Sequence, residues 1–263
     1  MSKACMQAIR QFRVDKGSVA LWWLGQMGYL IKTPDGALLA VDAYLTDSCG
    51  AIGETMGLNF HRRVPVFIEP EELDVDYFLC THNHQDHADP ETIKRMHKDS
   101  VDLFVGPGMA CETFGHCGVH EQKIQPLYAG GSRRMADVTV HGTFAMPTDT
   151  SDVNHMGFVL AVDDGPRIYI SGDTDYSDIL GHVADLRPDV MITCMNGGFN
   201  NLSQWEAADV ARMINPKIAI PCHYDMFPEN SADPEQFRAC LQYKAPQVRY
   251  ERLEYVTPFV CRG

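Results

Sequence analysis

Short apolar runs alternate with turn signals and amphipathic segments along most of the chain, a pattern typical of proteins that mix strands and helices. The runs are bounded by Gly, Pro, Asn and Asp, so they predict strands rather than long helices. In the first half, the predicted strands cover residues 19–24, 29–33, 37–41, 75–80, 103–105 and 123–127. In the second half, they cover residues 138–141, 157–162, 167–171, 190–194 and 218–221.

Helix starts are marked by capping residues. Ser203 and Glu206 form a capping-box pattern that predicts a helix to Ile214, and Asp233 before Pro234 predicts another to Lys244. Asp89 before Pro90 marks a third start, while residues 43–66 predict a long loop. Together these elements predict an α+β fold of two packed mixed sheets with helices outside, formed as a single domain over residues 1–263.

Residues 81–87 place three imidazoles and a carboxylate directly after an apolar run. His82 and His84 are two residues apart at a strand end, so their side chains point the same way and can bind one cation. Asp86 and His87 follow where the chain turns, and they can hold a second cation roughly 3.5–4 Å away. The spacing predicts a two-metal site in a strand-to-helix loop.

Two strands of the second half also end in residues that bind metals. Gly172 and Asp173 follow the strand at 167–171, where glycine permits a close backbone approach and Asp173 can bridge two cations. His223 follows the strand at 218–221. In combination with the first cluster, it is the predicted last ligand of the second cation.

The chain carries 22 basic and 35 acidic residues, a formal net charge of −13, and has no lysine- or arginine-rich stripe. Such a charge repels a long polyanion, so the sequence argues against nucleic acid as a substrate. A small anionic substrate is compatible with it, because bound divalent cations reverse the local potential.

No apolar stretch is long enough for a signal peptide or a membrane span, so no membrane association is expected. The nine cysteines form no Cys-x-x-Cys pair, which favours reduced thiols. We therefore expect a cytoplasmic protein. The oligomeric state is open, and a homo-oligomer is compatible with the sequence.

His82-x-His84-x-Asp86-His87, Gly172-Asp173 and His223 resemble the metallo-β-lactamase superfamily. The resemblance implies a four-layer αβ/βα sandwich with a one- or two-metal site between the sheets. Within the superfamily, the chain resembles the ascorbate-6-phosphate lactonase group. That closer likeness is carried by Trp22-Trp23-Leu24-Gly25, Ser171-Gly172-Asp173, Tyr176-Ser177, Ile220-Pro221-Cys222-His223-Tyr224-Asp225, Asn230 and Ala232-Asp233-Pro234.

The third ligand of the first cation departs from the common superfamily pattern. Many members place a histidine in the loop before the strand pair that ends at the bridging aspartate. Here that loop contains Asp149, which the resemblance to the lactonase group favours, and His155, nearer the next strand, as its competitor. An aspartate would shift the preference from zinc towards manganese. A site without a third ligand is the other alternative.

The predicted mechanism uses water activated by the cations, with Asp86 orienting that water and later protonating the leaving group. Arg62 is a predicted ligand for a phosphate or carboxylate, since arginine offers a bidentate fork. Asn200, in an amide-rich loop, suits hydroxyl recognition. Tyr224 is expected to point into the site beside His223.

The sequence therefore predicts a hydrolase that uses one or two divalent metal ions, Mn or Zn. Its substrate is expected to be a small anionic ester or lactone, such as a sugar-acid phosphate lactone. A metal-dependent phosphodiesterase is the first alternative. A non-catalytic metal-binding or ligand-sensing protein is the alternative of another class, and the presence of Asp86 argues against it.

Overall fold

Two seven-stranded sheets form the centre of the protein, and a computed structural model describes them within residues 2–263. The first sheet has the order β14-β1-β2-β3-β4-β5-β6, with β1 Ser18–Gly25, β2 Gly28–Lys32, β3 Leu38–Val41, β4 Tyr77–Leu79, β5 Leu103–Gly106, β6 Ile124–Pro126 and β14 Phe259–Arg262. The second has the order β13-β12-β11-β10-β9-β8-β7, with β7 Ser132–Met135, β8 Val138–Phe144, β9 Met156–Val162, β10 Arg167–Ile170, β11 Val190–Cys194, β12 Ile218–Cys222 and β13 Arg249–Tyr250. In each sheet, antiparallel strands on one side meet parallel strands on the other.

Helices cover the outer faces of both sheets. They are α1 Ser2–Gln11, α3 Pro90–Arg95, α4 Gly108–His116, α5 Gln204–Ile214 and α6 Pro234–Lys244. The remaining helix, α2 Ser48–Met56, packs instead in a small apolar cluster with Tyr44, Val64 and Phe227. The predicted starts of α3, α5 and α6 are confirmed: Asp89 accepts from Glu91 N and Thr92 N, and Ser203 and Glu206 form the complete capping box. The predicted α+β class, with two mixed sheets and outer helices, is also confirmed.

Strand β1 is buried on both faces, which explains its continuous apolar run. Val19, Leu21 and Trp23 point into the core between the sheets. Ala20 and Trp22 alternate with them and lie in the cluster beneath the outer helices. This arrangement makes a four-layer sandwich, and it fixes the strand ends that carry the site.

Residues 43–66 are not the continuous loop that the sequence predicts, because they contain α2. This helix has two internal glycines and no side-chain cap from Asp47, so its local helix signal is weak. Tertiary contact explains the glycines: a Cβ at Gly50 would lie 2.3 Å from His61 Nδ1, and one at Gly53 would lie 2.7 Å from Leu58 O. The helices α1 and α4 and the strands β7, β13 and β14 were not predicted either.

The longest α-helices have eleven residues, and none of the helices formed by residues 2–263 has the length and apolar character needed to span a bilayer. The single domain predicted for residues 1–263 stays a prediction, and Met1 lies outside the described residues.

Candidate metal centre

The site lies where strands of both sheets end. His82 and its neighbours follow β4 of the first sheet, whereas Asp173 and His223 follow β10 and β12 of the second. Gly172 allows the two sheets to approach here, because it has a φ of +63° and a Cβ on it would lie 2.8 Å from Cβ of Thr81, which follows β4 of the first sheet. The glycine before Asp173, predicted to permit a close backbone approach, is thus needed because a side chain at this position would clash.

One group of possible ligands consists of His82, His84 and His155, whose donor atoms lie within 4.8 Å of one another. The ring centroid of His82 is 4.0 Å from that of His155 and 4.5 Å from that of His84. Burial lowers the pKa of His82 and of His155, so both imidazoles are neutral at pH 7. A neutral imidazole is the form that binds a cation.

A second group consists of Asp86, His87 and His223, also within 4.8 Å of one another. His223 Nε2 lies 3.2 Å from Asp86 Oδ2, and His87 Nε2 lies 3.7 Å from the same oxygen. Burial opposes protonation of His223, but Asp173 and Asp86 outweigh it and raise the pKa of His223 to about 9. Burial also opposes protonation of His87, but Asp173 and Asp86 outweigh it and raise the pKa of His87 well above its ordinary value.

Asp173 lies between the two groups. Its Oδ1 is 3.3 Å from both His87 Nε2 and His223 Nε2, and it also forms a ligand-type group with His82 and His87. Its other oxygen, Oδ2, accepts a hydrogen bond of 2.8 Å from Asn201 Nδ2. This position suits the predicted bridge between two cations.

Two buried ring nitrogens at the centre, His82 Nε2 and His155 Nε2, have no hydrogen-bond partner. An unpaired buried polar atom costs about 1–3 kcal/mol, so two such nitrogens on neighbouring rings point to a missing binding partner. Imidazole nitrogens and carboxylate oxygens suit Zn²⁺ or Mn²⁺, and the residues therefore fit one or two divalent cations.

Asp42, which the sequence analysis missed, holds the cluster in place. It follows β3 with a φ of +46°, and its Oδ2 lies 2.8 Å from His87 Nδ1. The same carboxylate accepts hydrogen bonds from Thr81 N at 2.7 Å and Thr81 Oγ1 at 2.6 Å. This contact orients the His87 ring so that Nε2 faces the centre. Its position at a strand end was the only signal in the sequence.

Gln26 was also missed, although it connects two possible ligands. It lies in the turn between β1 and β2, and its Nε2 donates to Asp86 Oδ2 at 2.8 Å and lies 3.1 Å from His223 Nε2. The main-chain carbonyl oxygen of Gln26 accepts a hydrogen bond from His223 N at 3.2 Å. The first hairpin thereby positions ligand-type residues that lie far apart in the sequence.

The structure brings His155, rather than Asp149, into the first group. His155 is 5% exposed, and its Nδ1 lies 3.1 Å from Asp173 O. Asp149 lies beside the group: its Oδ2 is 3.3 Å from His84 Nε2, but its side chain is 51% exposed and accepts hydrogen bonds from Ser151. The geometry thus favours the competitor over the preferred ligand.

Two of the three predicted substrate contacts lie elsewhere. Arg62 donates to main-chain carbonyls, including Val64 O at 2.7 Å and Thr46 O at 2.8 Å, so its guanidinium is already engaged. Tyr224 is 1% exposed, with its ring 5.1 Å from that of Trp23 in the core. Asn200 does line the cavity beside the centre, although its Nδ2 donates to Thr148 O.

The pKa values predict that metal binding releases protons. At pH 7.5, a cation in the second group displaces the protons of His87 and His223, so we expect about two protons per cation from these ligands. Calorimetry in two buffers with different ionisation enthalpies measures this number. The His223→Gln variant should release about one fewer, and binding without proton release would contradict the assignment.

Comparison with known proteins agrees with this geometry. A family model described as a beta-lactamase superfamily domain matches residues 20–223. The chain therefore belongs to this superfamily, which confirms the predicted metallo-β-lactamase relationship.

A UPF0173 metal-dependent hydrolase from Anaeromyxobacter sp. (strain K) is 28% identical, over 89% of this chain and 85% of that protein. A probable L-ascorbate-6-phosphate lactonase from Salmonella paratyphi B is 24% identical, over 93% and 80%. The solved structure of a metallo hydrolase from Ignicoccus hospitalis superposes with a TM-score of 0.75 at 18% identity, covering 94% of this chain and 99% of that one. The names of these relatives confirm the predicted enzyme class, a metal-dependent hydrolase.

Proposed function

We propose that the protein opens a small ester or lactone with water, using one or two Mn or Zn ions. The unpaired ring nitrogens of His82 and His155, beside the carboxylate of Asp173, are the observation that carries this proposal. A cavity of about 530 Å³ adjoins them and is lined by His84, Asp86, Asp173 and His223. This volume is in the range of small-molecule sites.

Asp86 is the residue best placed to handle protons. Its side chain is 16% exposed and reaches the cavity, unlike His87, which is fully buried. Burial opposes its ionisation, but His87 and His223 outweigh burial and hold the pKa of Asp86 below its ordinary value. It is therefore a carboxylate at pH 7 and accepts a hydrogen bond from the attacking water. Gln26 fixes the direction of this carboxylate.

A bound divalent cation would lower the pKa of water and stabilise negative charge on the substrate oxygen. In the hydrolysis, the oxygen of water bonds to the acyl carbon and the C–O bond to the alcohol oxygen breaks. Asp86 accepts a proton from the water and returns it to the departing alcohol oxygen. The product of a lactone is a hydroxy acid, and no redox partner is needed.

The lactone specificity rests on the similarity to the probable ascorbate-6-phosphate lactonase. The cavity also contains the amide side chains of Asn200, Asn201 and Asn230, which suit the ring and hydroxyl oxygens of such substrates. The sequence also predicts an anionic group on the substrate. No described residue of the cavity supports that part of the prediction. Among the described residues, those that line the cavity include neither lysine nor arginine.

The test is hydrolysis of γ-butyrolactone, glucono-δ-lactone and 6-phosphogluconolactone by protein loaded with Mn²⁺ or Zn²⁺. We expect at least one lactone to open about a thousandfold faster than in buffer, and chelation to abolish the difference. Bis-nitrophenyl phosphate tests the phosphodiesterase alternative. If the loaded protein, its metal content verified by mass spectrometry, cleaves no ester or lactone, the proposal fails.

A further inference from the structure

The cavity beside the metal centre has two unlike ends. The inner end carries the ligand-type residues, whereas the outer end is formed by apolar side chains of α2 and two loops. Ile52, Met56 and Phe199 are 40%, 59% and 47% exposed, although each is a large apolar residue. Exposed apolar side chains that converge on one cavity mark a binding surface.

Aromatic rings form a continuous wall at this end. The ring centroid of Phe60 is 5.4 Å from that of Phe199 and 5.6 Å from that of Phe227. Phe227 is in turn 5.9 Å from Tyr44, which is buried. The wall is therefore anchored in the protein at Tyr44 and Phe227, whereas Phe60 is partly exposed and Phe199 faces solvent.

The backbone conformation at Phe199 also indicates that this residue is part of a binding surface. Its φ is +54°, and that of Asn200 is +60°. Asparagine adopts this left-handed region readily, whereas a bulky residue such as phenylalanine rarely does. Phe199 thus occupies a position that suits asparagine or glycine, and its ring contributes to the cavity wall.

Of the residues that the structure describes, none that lines this cavity is a lysine or arginine that could bind a phosphate group. Arg62 is held by main-chain carbonyls, and Arg63 donates to Asp225 O at 3.1 Å and to Phe227 O at 3.4 Å. Both arginines fix the loops that form the wall. The cavity itself is lined by the carboxylates of Asp86, Asp149 and Asp173.

We propose that the substrate carries an uncharged alkyl or aryl group that binds against Phe60, Phe199 and Phe227 while its ester or lactone group lies at the metal centre. The inference rests on the proposed function and deepens it, because it replaces a phosphorylated sugar with an apolar lactone or ester. Phe199 is then a residue that determines specificity.

A series of γ-lactones with growing alkyl chains tests this assignment in the metal-loaded protein. Each fully buried methylene raises kcat/KM by about fourfold, and the open rim reduces this gain. We expect γ-octalactone to exceed γ-butyrolactone by about twentyfold and 6-phosphogluconolactone to be the poorest substrate. A higher kcat/KM for the phosphorylated lactone than for γ-octalactone would overturn the proposal.

The Phe199→Asn variant removes the ring and keeps a residue that tolerates the backbone conformation. It should lower the ratio of kcat/KM for γ-octalactone over γ-butyrolactone by about fivefold. Tyr243→Asn is the matched control, because Tyr243 is an exposed aromatic residue of α6 that does not line the cavity. An unchanged ratio in Phe199→Asn would contradict the assigned role.

Calorimetric binding of the product-like anions 4-hydroxyoctanoate and 4-hydroxybutyrate separates this inference from the proposed function. If lactones open but chain length affects neither rate nor binding, the inference fails and the function stands. If no lactone opens but the octanoate binds at least tenfold more tightly, and Phe199→Asn removes this difference, the function fails and the apolar site stands.

Discussion

The Asp86→Asn variant will lose about a thousandfold or more in kcat/KM for the lactone that the protein opens best. Asparagine has nearly the volume of aspartate, and it preserves an oxygen that can accept the hydrogen bond from Gln26. It lacks the negative charge that binds a cation and cannot accept a proton from water. Steady-state rates of lactone opening, measured by titration of the acid released, give the loss.

Asp149→Asn is the control for this variant, because Asp149 lies at the same cavity but outside both histidine groups. We expect it to retain activity within about tenfold. Metal content measured by mass spectrometry shows whether Asp86→Asn still holds a cation in the first group. Activity in Asp86→Asn equal to that of the parent protein would exclude the proposed mechanism.

Metal content will also show whether His155 or Asp149 is the third ligand of the first cation. The His155→Ala variant should contain about one metal equivalent less per chain than the parent protein, because it removes one of three imidazoles from the first group. The Asp149→Ala variant should retain the parent content. Elemental mass spectrometry on protein dialysed against metal-free buffer measures both.

The opposite result, a loss in Asp149→Ala and none in His155→Ala, would support the ligand that the sequence analysis preferred. The pair is informative because both residues come from the same loop. Asp149 is exposed, so its replacement has little effect on packing. For His155→Ala, a circular dichroism melt of the metal-free protein establishes that the fold is retained.

Local sequence predicts much of this site, because His82, His84, Asp86 and His87 lie within one turn of the chain. Their spacing alone sets which side chains share a cation. The choice between Asp149 and His155 depends instead on a contact between the start of β9 in the second sheet and the loop that follows β4 in the first. Met156 N donates to Thr81 O at 3.1 Å, and this hydrogen bond brings His155 beside His82. Spacing along the chain cannot predict this contact between the two sheets.

Side-chain direction explains the other differences. His223 adopts a φ of +59°, and in this turn Tyr224 points into the core, where its ring packs against Trp23. Arg62 carries a group suited to anions, yet the nearby main-chain carbonyls accept its hydrogen bonds. Asp42 is a single carboxylate after a strand, with no neighbouring motif to distinguish it. Such roles depend on packing that only the folded chain defines.

The possible ligands are divided between the two sheets: His82, His84, Asp86 and His87 follow a strand of the first, and His155, Asp173 and His223 lie at strand ends of the second. A cation held by both sets is also a cross-link between the halves of the sandwich. Because it binds the folded chain and not the dispersed ligands, it adds stability in proportion to the logarithm of its concentration over its Kd. Metal supply then governs the fraction of the protein that is folded as well as its rate of catalysis.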